Sequence, residues 1–372
     1  MKVQQEGVPL SRPYLDEREE QLVIDVLRSG RLSLGPTIDA FEDLVAARVG
    51  APYGAAVSSG TAGLHLLCVA AGISPGDEVI TSPYSFAASA NCFVYEGGVP
   101  VFADIDPRTL NMDPAAVEAA VTPRTKAIVA VDIYGYPCEL DELRAIASRH
   151  GLALIQDSCE ALGAEYRGRS VGSHGPSAVF AFYPNKQITT GEGGVVTTHS
   201  EEEWRLLRSL RNQGRGDSGG WLEHVRLGWN YRVSDVCAAL GIGQLEKLDE
   251  ILALRREVAA RYGELLRDLD GVELPLEDDA EHVRSWFVYV VKLPSNEDRE
   301  RVIAHFEREG IGYNRYLPSI HLQPYMRARY GFREGMCPVA EDASTRTLAL
   351  PFFTGLERDA QERVAEALAT AL

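Results

Sequence analysis

One lysine lies in a segment that suits covalent chemistry on a carbonyl compound. Lys186 follows the apolar run Phe182-Tyr183-Pro184 and precedes a stretch rich in threonine and glycine that ends at Gly194. The chain has only five lysines, whereas lysine and arginine together number 37, so arginine carries most of its positive charge. A primary amine in this setting can form a Schiff base with an aldehyde or ketone. For this segment alone, a solvated loop lysine beside a turn is the alternative.

An acidic residue ends an apolar run upstream of this lysine. Residues 152–157, Leu-Ala-Leu-Ile-Gln-Asp, are typical of a buried parallel strand that delivers Asp157 to the carboxyl end of a sheet. Open α/β sheets bind ligands at that edge, so Asp157 is expected to face a ligand. An aspartate that caps the following helix is the alternative for this segment.

A third segment predicts a phosphate site. Residues 58–62, Ser-Ser-Gly-Thr-Ala, precede an apolar helical pattern, which places free backbone N–H groups at a helix N-terminus with the Thr61 hydroxyl beside them. Such a helix end binds phosphate well, although an ordinary capped helix uses the same residue types. A phosphate site, a carboxylate and a lysine together indicate a single cofactor.

These segments, in this order, resemble pyridoxal-phosphate enzymes of the aspartate-aminotransferase fold, specifically the DegT/DnrJ/EryC1/StrS family of sugar aminotransferases. The resemblance runs nearly end to end through further segments at residues 29–36, 84–91, 228–235, 244–248 and 320–325. It implies an α/β fold of type I, in which a large domain has a mainly parallel seven-stranded sheet flanked by helices and a smaller C-terminal domain is α+β. The large, cofactor-binding domain is expected over residues 1–250 and the small domain over residues 251–372.

The resemblance also implies roles for individual residues. Lys186 and Asp157 would be catalytic, with Lys186 binding the cofactor as a Schiff base and Asp157 pairing with its pyridine nitrogen. The other cofactor contacts would be Gly60, Thr61 and Ala62 at the phosphate, Phe86 stacked on the ring, Glu160 near the phenolic oxygen, and Asn230 reaching the phosphate in the partner subunit. Substrate contacts would come from Ser33, Arg315, Tyr316 and His321.

Physical chemistry explains why Lys186 and Asp157 work together. A carboxylate beside the pyridine nitrogen favours the protonated ring, and a protonated ring is the electron sink that stabilises a carbanion. Once released, the Lys186 amine can move a proton between the carbon of the amino acid and that of the cofactor. Two half-reactions follow: an amino acid loads the cofactor with nitrogen, and a keto sugar takes the nitrogen up.

Three residues depart from commoner forms of the family pattern. Glu160 stands where many members carry glutamine or histidine, although some that act at sugar C4 carry glutamate. Ala181 stands where a serine often touches the phosphate, and Ser319 stands where proline is frequent. Related dehydratases of this fold carry histidine at the lysine position, so Lys186 favours transamination.

The sequence therefore predicts a homodimeric aminotransferase that uses pyridoxal phosphate and shares its active sites between subunits. It would convert a 3-keto or 4-keto group of a nucleotide-linked sugar to an amine with L-glutamate as donor, in amino-sugar, polysaccharide or antibiotic-sugar biosynthesis. Transfer to an inosose or another cyclic ketone is an open alternative. A third hypothesis is a regulator or sensor that binds the cofactor without turnover, against which the presence of both Lys186 and Asp157 argues.

Composition limits the partners and the location. A formal net charge of −17 argues against a nucleic-acid surface, which needs a dense basic patch, although a few arginines such as Arg315 and Arg232 could bind a diphosphate. No apolar run approaches the ~18 residues that span a bilayer, and the N-terminus lacks the apolar core of a signal peptide, so a cytoplasmic protein is expected. The six cysteines form no CxxC and no HExxH occurs, so no metal site is predicted.

Hydrophobic patterning predicts the elements that must position these residues. Apolar runs alternate with helical patterns, which indicates βα units and a mainly parallel sheet. Residues 244–269 are predicted to form one long amphipathic helix that connects the two domains. In the small domain a strand is predicted over residues 286–291, helices over 297–309 and 357–372, and a mobile loop that covers a site over 313–334.

Overall fold

The computed structural model of the chain describes residues 7–216 and 223–372. Within these ranges the helices are α1 (Glu17–Ser29), α2 (Pro36–Val49), α3 (Gly60–Ala70), α4 (Ala88–Val94), α5 (Pro114–Ala120), α6 (Leu140–His150), α7 (Glu201–Leu210), α8 (Asp235–Glu246), α9 (Leu248–Leu266), α10 (Asn296–Glu309), α11 (Pro324–Tyr330), α12 (Pro338–Arg346) and α13 (Arg358–Ala371). The strands are β1 (Tyr53–Val57), β2 (Glu78–Thr81), β3 (Val99–Phe102), β4 (Thr125–Val131), β5 (Ala153–Asp157), β6 (Glu165–Tyr166), β7 (Arg169–Ser170), β8 (Ser177–Ala181), β9 (Gly194–Thr198), β10 (His282–Val283), β11 (Tyr289–Lys292) and β12 (Thr347–Leu350). Short 3₁₀ helices lie at Ile133–Gly135 and Ile320–Leu322.

Seven strands form one large sheet, in the order β1-β9-β8-β5-β4-β2-β3. Strand β9 runs antiparallel to both of its neighbours, whereas the other four pairings are parallel. The central strands are nearly continuous apolar runs because helices cover both faces of the sheet. The predicted mainly parallel seven-stranded sheet is confirmed, and β5 ends at Asp157 as the sequence indicated.

Side chains alternate between the two faces of this sheet and meet different helices on each face. Along β4, Ala127 and Val129 pack with α3 and α4, whereas Ile128 and Ala130 pack with α5 and α6. Towards the β1 edge, Phe180 of β8 faces a cluster that α2 and α8 complete. The sheet is therefore the middle of three layers, and its carboxyl ends stay open to a ligand.

A second and smaller core surrounds the antiparallel pair β11 and β12. Helices α10 and α13 pack together over this pair, and α9 joins it to the large sheet, since Leu252 packs in the larger core and Val258 in the smaller one. The chain's N-terminal segment belongs to the smaller core as well. Val8 donates its N–H to the Gly310 carbonyl at 3.0 Å and accepts from the Gly312 N–H at 2.7 Å. The division of domains at residue 250 stays a prediction.

The single helix predicted over residues 244–269 is wrong, because two helices meet at Lys247. This residue leaves the helical conformation, with φ −116° and ψ 16°, and separates α8 from α9. Its ammonium group donates to Asp16 at 2.8 Å and to Glu19 at 2.9 Å, at the start of α1. The apolar periodicity continues through this turn, so the sequence pattern carried no sign of the break.

The strand predicted over residues 286–291 begins later, at Tyr289. Trp286 has a φ of +52°, which is incompatible with a strand. The carbonyls of Trp286 and Phe287 accept from the guanidinium of Arg255, at 2.8 and 2.7 Å, instead of pairing with a neighbouring strand. A distant arginine therefore sets the start of β11.

The C-terminal region differs from the prediction at residues 313–334 and agrees with it at two helices. Residues 313–334 do not form one irregular loop, because they contain the 3₁₀ helix Ile320–Leu322 and helix α11. Met326 of α11 is buried in the same cluster as α3 and α4, which fixes the segment against the large sheet layer. The helices predicted over 297–309 and 357–372 are confirmed as α10 and α13.

Candidate active site

The three segments singled out in the sequence converge at the carboxyl ends of β1, β5 and β8. Gly60, at the start of α3, makes the contact that joins them. A Cβ atom added to Gly60 would lie 2.7 Å from the Cys159 sulfur, just after β5, and 2.8 Å from the Ala181 Cβ, at the end of β8. Real Cβ atoms do not approach so closely, so only glycine lets the helix start touch both strand ends. Asp157 is the last residue of β5, and Lys186 lies on the segment that follows β8.

The first turn of α3 presents backbone N–H groups at this edge. Ser59 caps the helix, because its hydroxyl oxygen accepts from the Ala62 N–H at 3.1 Å. Within residues 7–216 and 223–372, no group accepts a hydrogen bond from the N–H groups of Gly60 and Thr61. These two amides lie at the positive end of the helix dipole and fit a phosphate group. The Ala62 amide, also predicted to bind phosphate, already has a partner in its own chain.

Asp157 lies at the end of β5 with both carboxylate oxygens engaged. Its Oδ2 accepts from the Ser89 hydroxyl at 2.7 Å, and its Oδ1 accepts from the Cys159 N–H at 3.3 Å. Ser89 is fully buried and its Oγ lies 2.7 Å from the Ser85 Oγ. The carboxylate is therefore held in one orientation by donors from α4 and from its own strand end.

Lys186 lies between a carboxylate and an aromatic ring. Its Nζ is 3.3 Å from Glu160 Oε1 and 3.9 Å from the centre of the Phe287 ring, which gives an ion pair and a cation–π contact. The other Glu160 oxygen accepts from the Tyr134 N–H at 2.8 Å. Burial raises the pKa of Glu160, while the Lys186 ammonium and the Tyr134 N–H act in the opposite direction. A buried carboxyl group with a raised pKa thus lies beside the amine.

Two aromatic side chains, Phe86 and Tyr316, lie on segments that contact the residues around Asp157 and Lys186. Phe86 is 66% exposed and lies one turn before Ser89, the residue that bonds Asp157, so its face is open at the same edge. Tyr316 reaches the lysine segment, because its hydroxyl accepts from the Asn185 side-chain amide at 3.1 Å. The structure therefore brings the predicted residues Phe86 and Tyr316 towards Asp157 and Lys186.

Asn230 lies on a segment that is anchored to α3, but its own side chain is exposed. The Tyr231 carbonyl accepts from the Ser58 N–H at 2.8 Å, and the Tyr231 hydroxyl lies 3.1 Å from His65 Nδ1. The Trp229 ring packs edge-on against His65 as well. Both neighbours of Asn230 are thus fixed to the protein while Asn230 faces outward, as a contact across a subunit interface requires.

The other predicted substrate residues differ in their exposure and partners. Ser33 is exposed on the segment before α2, and Arg315 is half exposed and pairs with Glu300 at 2.6 Å. His321 is fully buried, with its Nε2 3.0 Å from Glu341 and its ring near Phe102. Because His321 has no exposed surface, its position gives no support to contact with a substrate.

Sequence analysis did not single out two residues that touch the catalytic pair. Ser89 lies inside a segment that carries the family resemblance, and its four-residue spacing from Ser85 at a helix start was a usable signal. Phe287 had no such signal, because it meets Lys186 only through the fold, about a hundred residues along the chain. The position of Phe287 depends on the turn at Trp286 and Phe287, whose carbonyls accept from Arg255.

In the described ranges, 7–216 and 223–372, no helix is long and apolar enough to cross a membrane. The same residues contain no group of three or more histidines, cysteines, aspartates or glutamates arranged to hold a metal ion.

Comparisons with known proteins agree with this geometry. The family model described as the DegT/DnrJ/EryC1/StrS aminotransferase family matches residues 13–369. The spore coat polysaccharide biosynthesis protein SpsC of Bacillus subtilis (strain 168) is 38% identical over 97% of this chain and 96% of its own. The solved structure of DesV from S. venezuelae has a TM-score of 0.92 at 33% identity and covers 98% of both chains. Spr1654 from Streptococcus pneumoniae, solved in its PLP form, has a TM-score of 0.93 at 26% identity over 98% of both chains.

Fold, site and comparisons define a pyridoxal-phosphate-dependent aminotransferase of fold type I. The chain belongs to the DegT/DnrJ/EryC1/StrS aminotransferase family. Its residues fit the cofactor: two free amides face a phosphate position, a fixed carboxylate ends β5, and a lysine with a largely buried side chain lies beside them.

The hydrogen bond from Ser89 to Asp157 predicts a measurable role for this serine. Ser89→Ala is expected to lower turnover about tenfold while the cofactor still binds, since a hydrogen bond to a charged group contributes about 1.5–3 kcal/mol. The pH dependence of the cofactor's absorbance is expected to shift if, as the family resemblance implies, Asp157 pairs with the ring nitrogen. Steady-state kinetics and a spectroscopic pH titration measure both effects.

Ser85→Ala is the matched control for this prediction. Ser85 contacts Ser89 but not Asp157, so its loss should have the smaller effect on both measurements. An unchanged absorbance titration for Ser89→Ala, or equal effects of the two substitutions, would contradict the role of Ser89.

Proposed function

We propose that the protein converts the keto group of a nucleotide-linked 3-keto or 4-keto sugar to an amino group, with L-glutamate as the nitrogen donor. The observation that carries the proposal is the convergence of Lys186, Asp157 and the free amides of Gly60 and Thr61 at one edge of the sheet. The sugar substrate is supported by the relative SpsC, whose name assigns it to polysaccharide biosynthesis. A place in polysaccharide or amino-sugar biosynthesis is proposed on the same ground.

The chain's own residues have distinct tasks in this reaction. Bound pyridoxal phosphate supplies an electrophilic carbon and an electron sink. Asp157 keeps a proton on the ring nitrogen, because an adjacent negative charge favours the protonated form. The Gly60 and Thr61 amides would hold the phosphate, with Asp157 facing the ring nitrogen.

Lys186 and Glu160 are placed to move protons. With the cofactor bound, the free Lys186 amine would take a proton from the amino-acid carbon and deliver it to the cofactor carbon that is bonded to the same nitrogen. Glu160 Oε1 faces this amine at 3.3 Å, and the Tyr134 N–H holds the other oxygen away from it. Because burial raises the pKa of Glu160, its carboxyl group can exchange a proton with the lysine without a bulk-water step.

A shared active site is proposed from the surface around Asn230. Leu34, Val225 and Leu227 are 55%, 51% and 82% exposed, and the last two precede Asn230 closely along the chain; exposed apolar side chains of this size are typical of an interface. A two-fold dimer would bury this surface twice and place Asn230 of each chain against the other chain's cofactor phosphate. Solvated apolar side chains on a monomer are the alternative.

A screen of half-reactions tests the proposed substrate class. Cofactor absorbance is followed as L-glutamate is added, and the amine-loaded enzyme is then offered nucleotide-linked 3-keto and 4-keto sugars and an inosose. A higher kcat/KM for a nucleotide-linked sugar is expected; reaction with the inosose alone would refute the proposal. Lys186→Ala should abolish both half-reactions, whereas Lys126→Ala, at an exposed lysine of β4, should leave them unchanged.

Arg315 is proposed to bind the diphosphate of the substrate. Arg315→Ala is expected to raise KM for the nucleotide-linked sugar at least about tenfold, because charge-assisted hydrogen bonds to phosphate would be lost. The glutamate half-reaction should keep its rate, since glutamate does not use this contact. Glu300→Gln frees Arg315 from its ion pair and should not raise KM. Equal slowing of both half-reactions by Arg315→Ala would show a structural role instead.

Subunit mixing tests whether Asn230 acts across an interface. Lys186→Ala and Asn230→Ala subunits are mixed to equilibrium; each mixed dimer then has one site with both groups intact and one site with neither. Random pairing returns about a quarter of wild-type sites.

The control mixture pairs Lys186→Ala with Asp157→Asn. Both groups lie in the same chain's site, so a mixed dimer of these variants has no intact site and no activity should return. Absence of complementation between Lys186→Ala and Asn230→Ala would refute the shared site.

A further inference from the structure

A cavity separate from the catalytic centre lies between the loop after β3 and the small sheet. It has a volume of about 50 Å³, and its walls include Arg108 and Leu110 of the loop, Leu274, and Val290 and Lys292 of β11. Neither Lys186 nor Asp157 lines it. A cavity with cationic side chains on apolar walls is a candidate for a small anionic ligand.

Arg284 lines this cavity and lacks an acceptor for its guanidinium. The side chain is only 6% exposed, and its guanidinium carbon lies 4.7 Å from the Tyr136 ring centre and 5.0 Å from that of Trp286. Its Nε is buried without a hydrogen-bond partner, and no described residue accepts from its other guanidinium nitrogens. Two aromatic faces therefore hold the cation in place, but no described carboxylate accepts a hydrogen bond from its guanidinium.

The other buried arginines show that this arrangement is unusual in this protein. In the described part of the chain, three further arginines are buried, and each donates to an oxygen: Arg211 to Glu42, Arg255 to the Trp286 and Phe287 carbonyls, and Arg299 to the Ser344 carbonyl. A buried charge without hydrogen bonds is costly. Of the four buried arginines, Arg284 is thus the one whose guanidinium has no hydrogen-bond acceptor in the described part of the chain.

Nearby acids do not supply the missing partner. Asp278 is close to Arg284, but its carboxylate accepts from the Arg284 backbone N–H at 2.9 Å. Burial raises the pKa of Asp278 and the Arg284 charge acts against that rise, but no hydrogen bond joins the carboxylate to the guanidinium. Glu273, on the cavity wall, already contacts Lys292 at 3.5 Å and Arg346 at 3.2 Å.

We propose that this cavity is a binding site for a small phosphate dianion, inorganic phosphate or the phosphate group of a monoester, held by Arg284 with Arg108 and Lys292 at its rim. The fork of N–H donors on a guanidinium matches the oxygens of a phosphate group. Lys292 pairs with Glu273 and Asp342, so Arg284 and Arg108 carry the charge that favours a dianion over a monocarboxylate. The apolar side chains of Leu110, Leu274 and Val290 line the rest of the wall, where the organic group of a monoester would lie.

Calorimetric titration of the holoenzyme with inorganic phosphate tests the proposal. The experiment is run in the Arg315→Ala background, which removes the proposed diphosphate contact of the active site, while the cofactor fills the catalytic phosphate position. One phosphate per chain is expected to bind. Adding Arg284→Met, which keeps the length of the side chain but removes its charge, should weaken binding at least about thirtyfold.

A second variant covers the case in which Arg284→Met does not fold. Arg108 is exposed, so Arg108→Ala should fold and weaken phosphate binding by about threefold to tenfold. Acetate, a monoanion, should bind more weakly than phosphate, and an organic monoester such as glycerol phosphate at least as well as inorganic phosphate.

Two results would overturn the proposal. One is that phosphate binds with the same affinity to the parent, to the Arg108→Ala variant and to a folded Arg284→Met variant. The other is that the parent holoenzyme gives no saturable phosphate binding. Far-UV circular dichroism of each variant establishes that it is folded before titration.

Discussion

The active site depends on the close contact between the start of α3 and the ends of β5 and β8. Gly60 permits this contact, because any Cβ there would clash with Cys159 and Ala181. Because of this contact, the free N–H groups of Gly60 and Thr61 lie beside the ends of β5 and β8, close to Asp157 and to the segment that bears Lys186. A side chain at position 60 would force α3 outward, and the phosphate contacts would separate from the carboxylate even if every catalytic residue stayed in place.

The two carboxylates of the site differ because their surroundings differ. Asp157 accepts from a buried hydroxyl and from a backbone N–H, which fix its carboxylate at the strand end. Glu160 accepts from the Tyr134 N–H and pairs with Lys186; burial raises its pKa, and both of these neighbours act against that rise. One carboxylate is therefore bound by neutral donors, while the other has an oxygen directed at the Lys186 amine.

Local sequence patterns were enough to predict the strand and the helix that carry candidate site residues at their ends. The apolar run before Asp157 and the small residues before α3 predicted a strand and a helix start, and the structure has both. Residues set by long-range contacts could not be predicted in this way. Phe287 reaches Lys186 only because a turn at Trp286 is held from α9, and the burial of His321 depends on Glu341 and Phe102 from other elements.

Arg255 connects the two cores to the catalytic lysine. It is buried on α9, the helix that passes from the larger core to the smaller one, and burial lowers its pKa to about 10. Its donation to the Trp286 and Phe287 carbonyls fixes the turn that sets the Phe287 ring against the Lys186 amine. Any displacement of the smaller core relative to the sheet must strain these buried bonds or carry α9 with it. The position of Lys186 is thus coupled to the packing between the two cores as well as to the sheet that bears it.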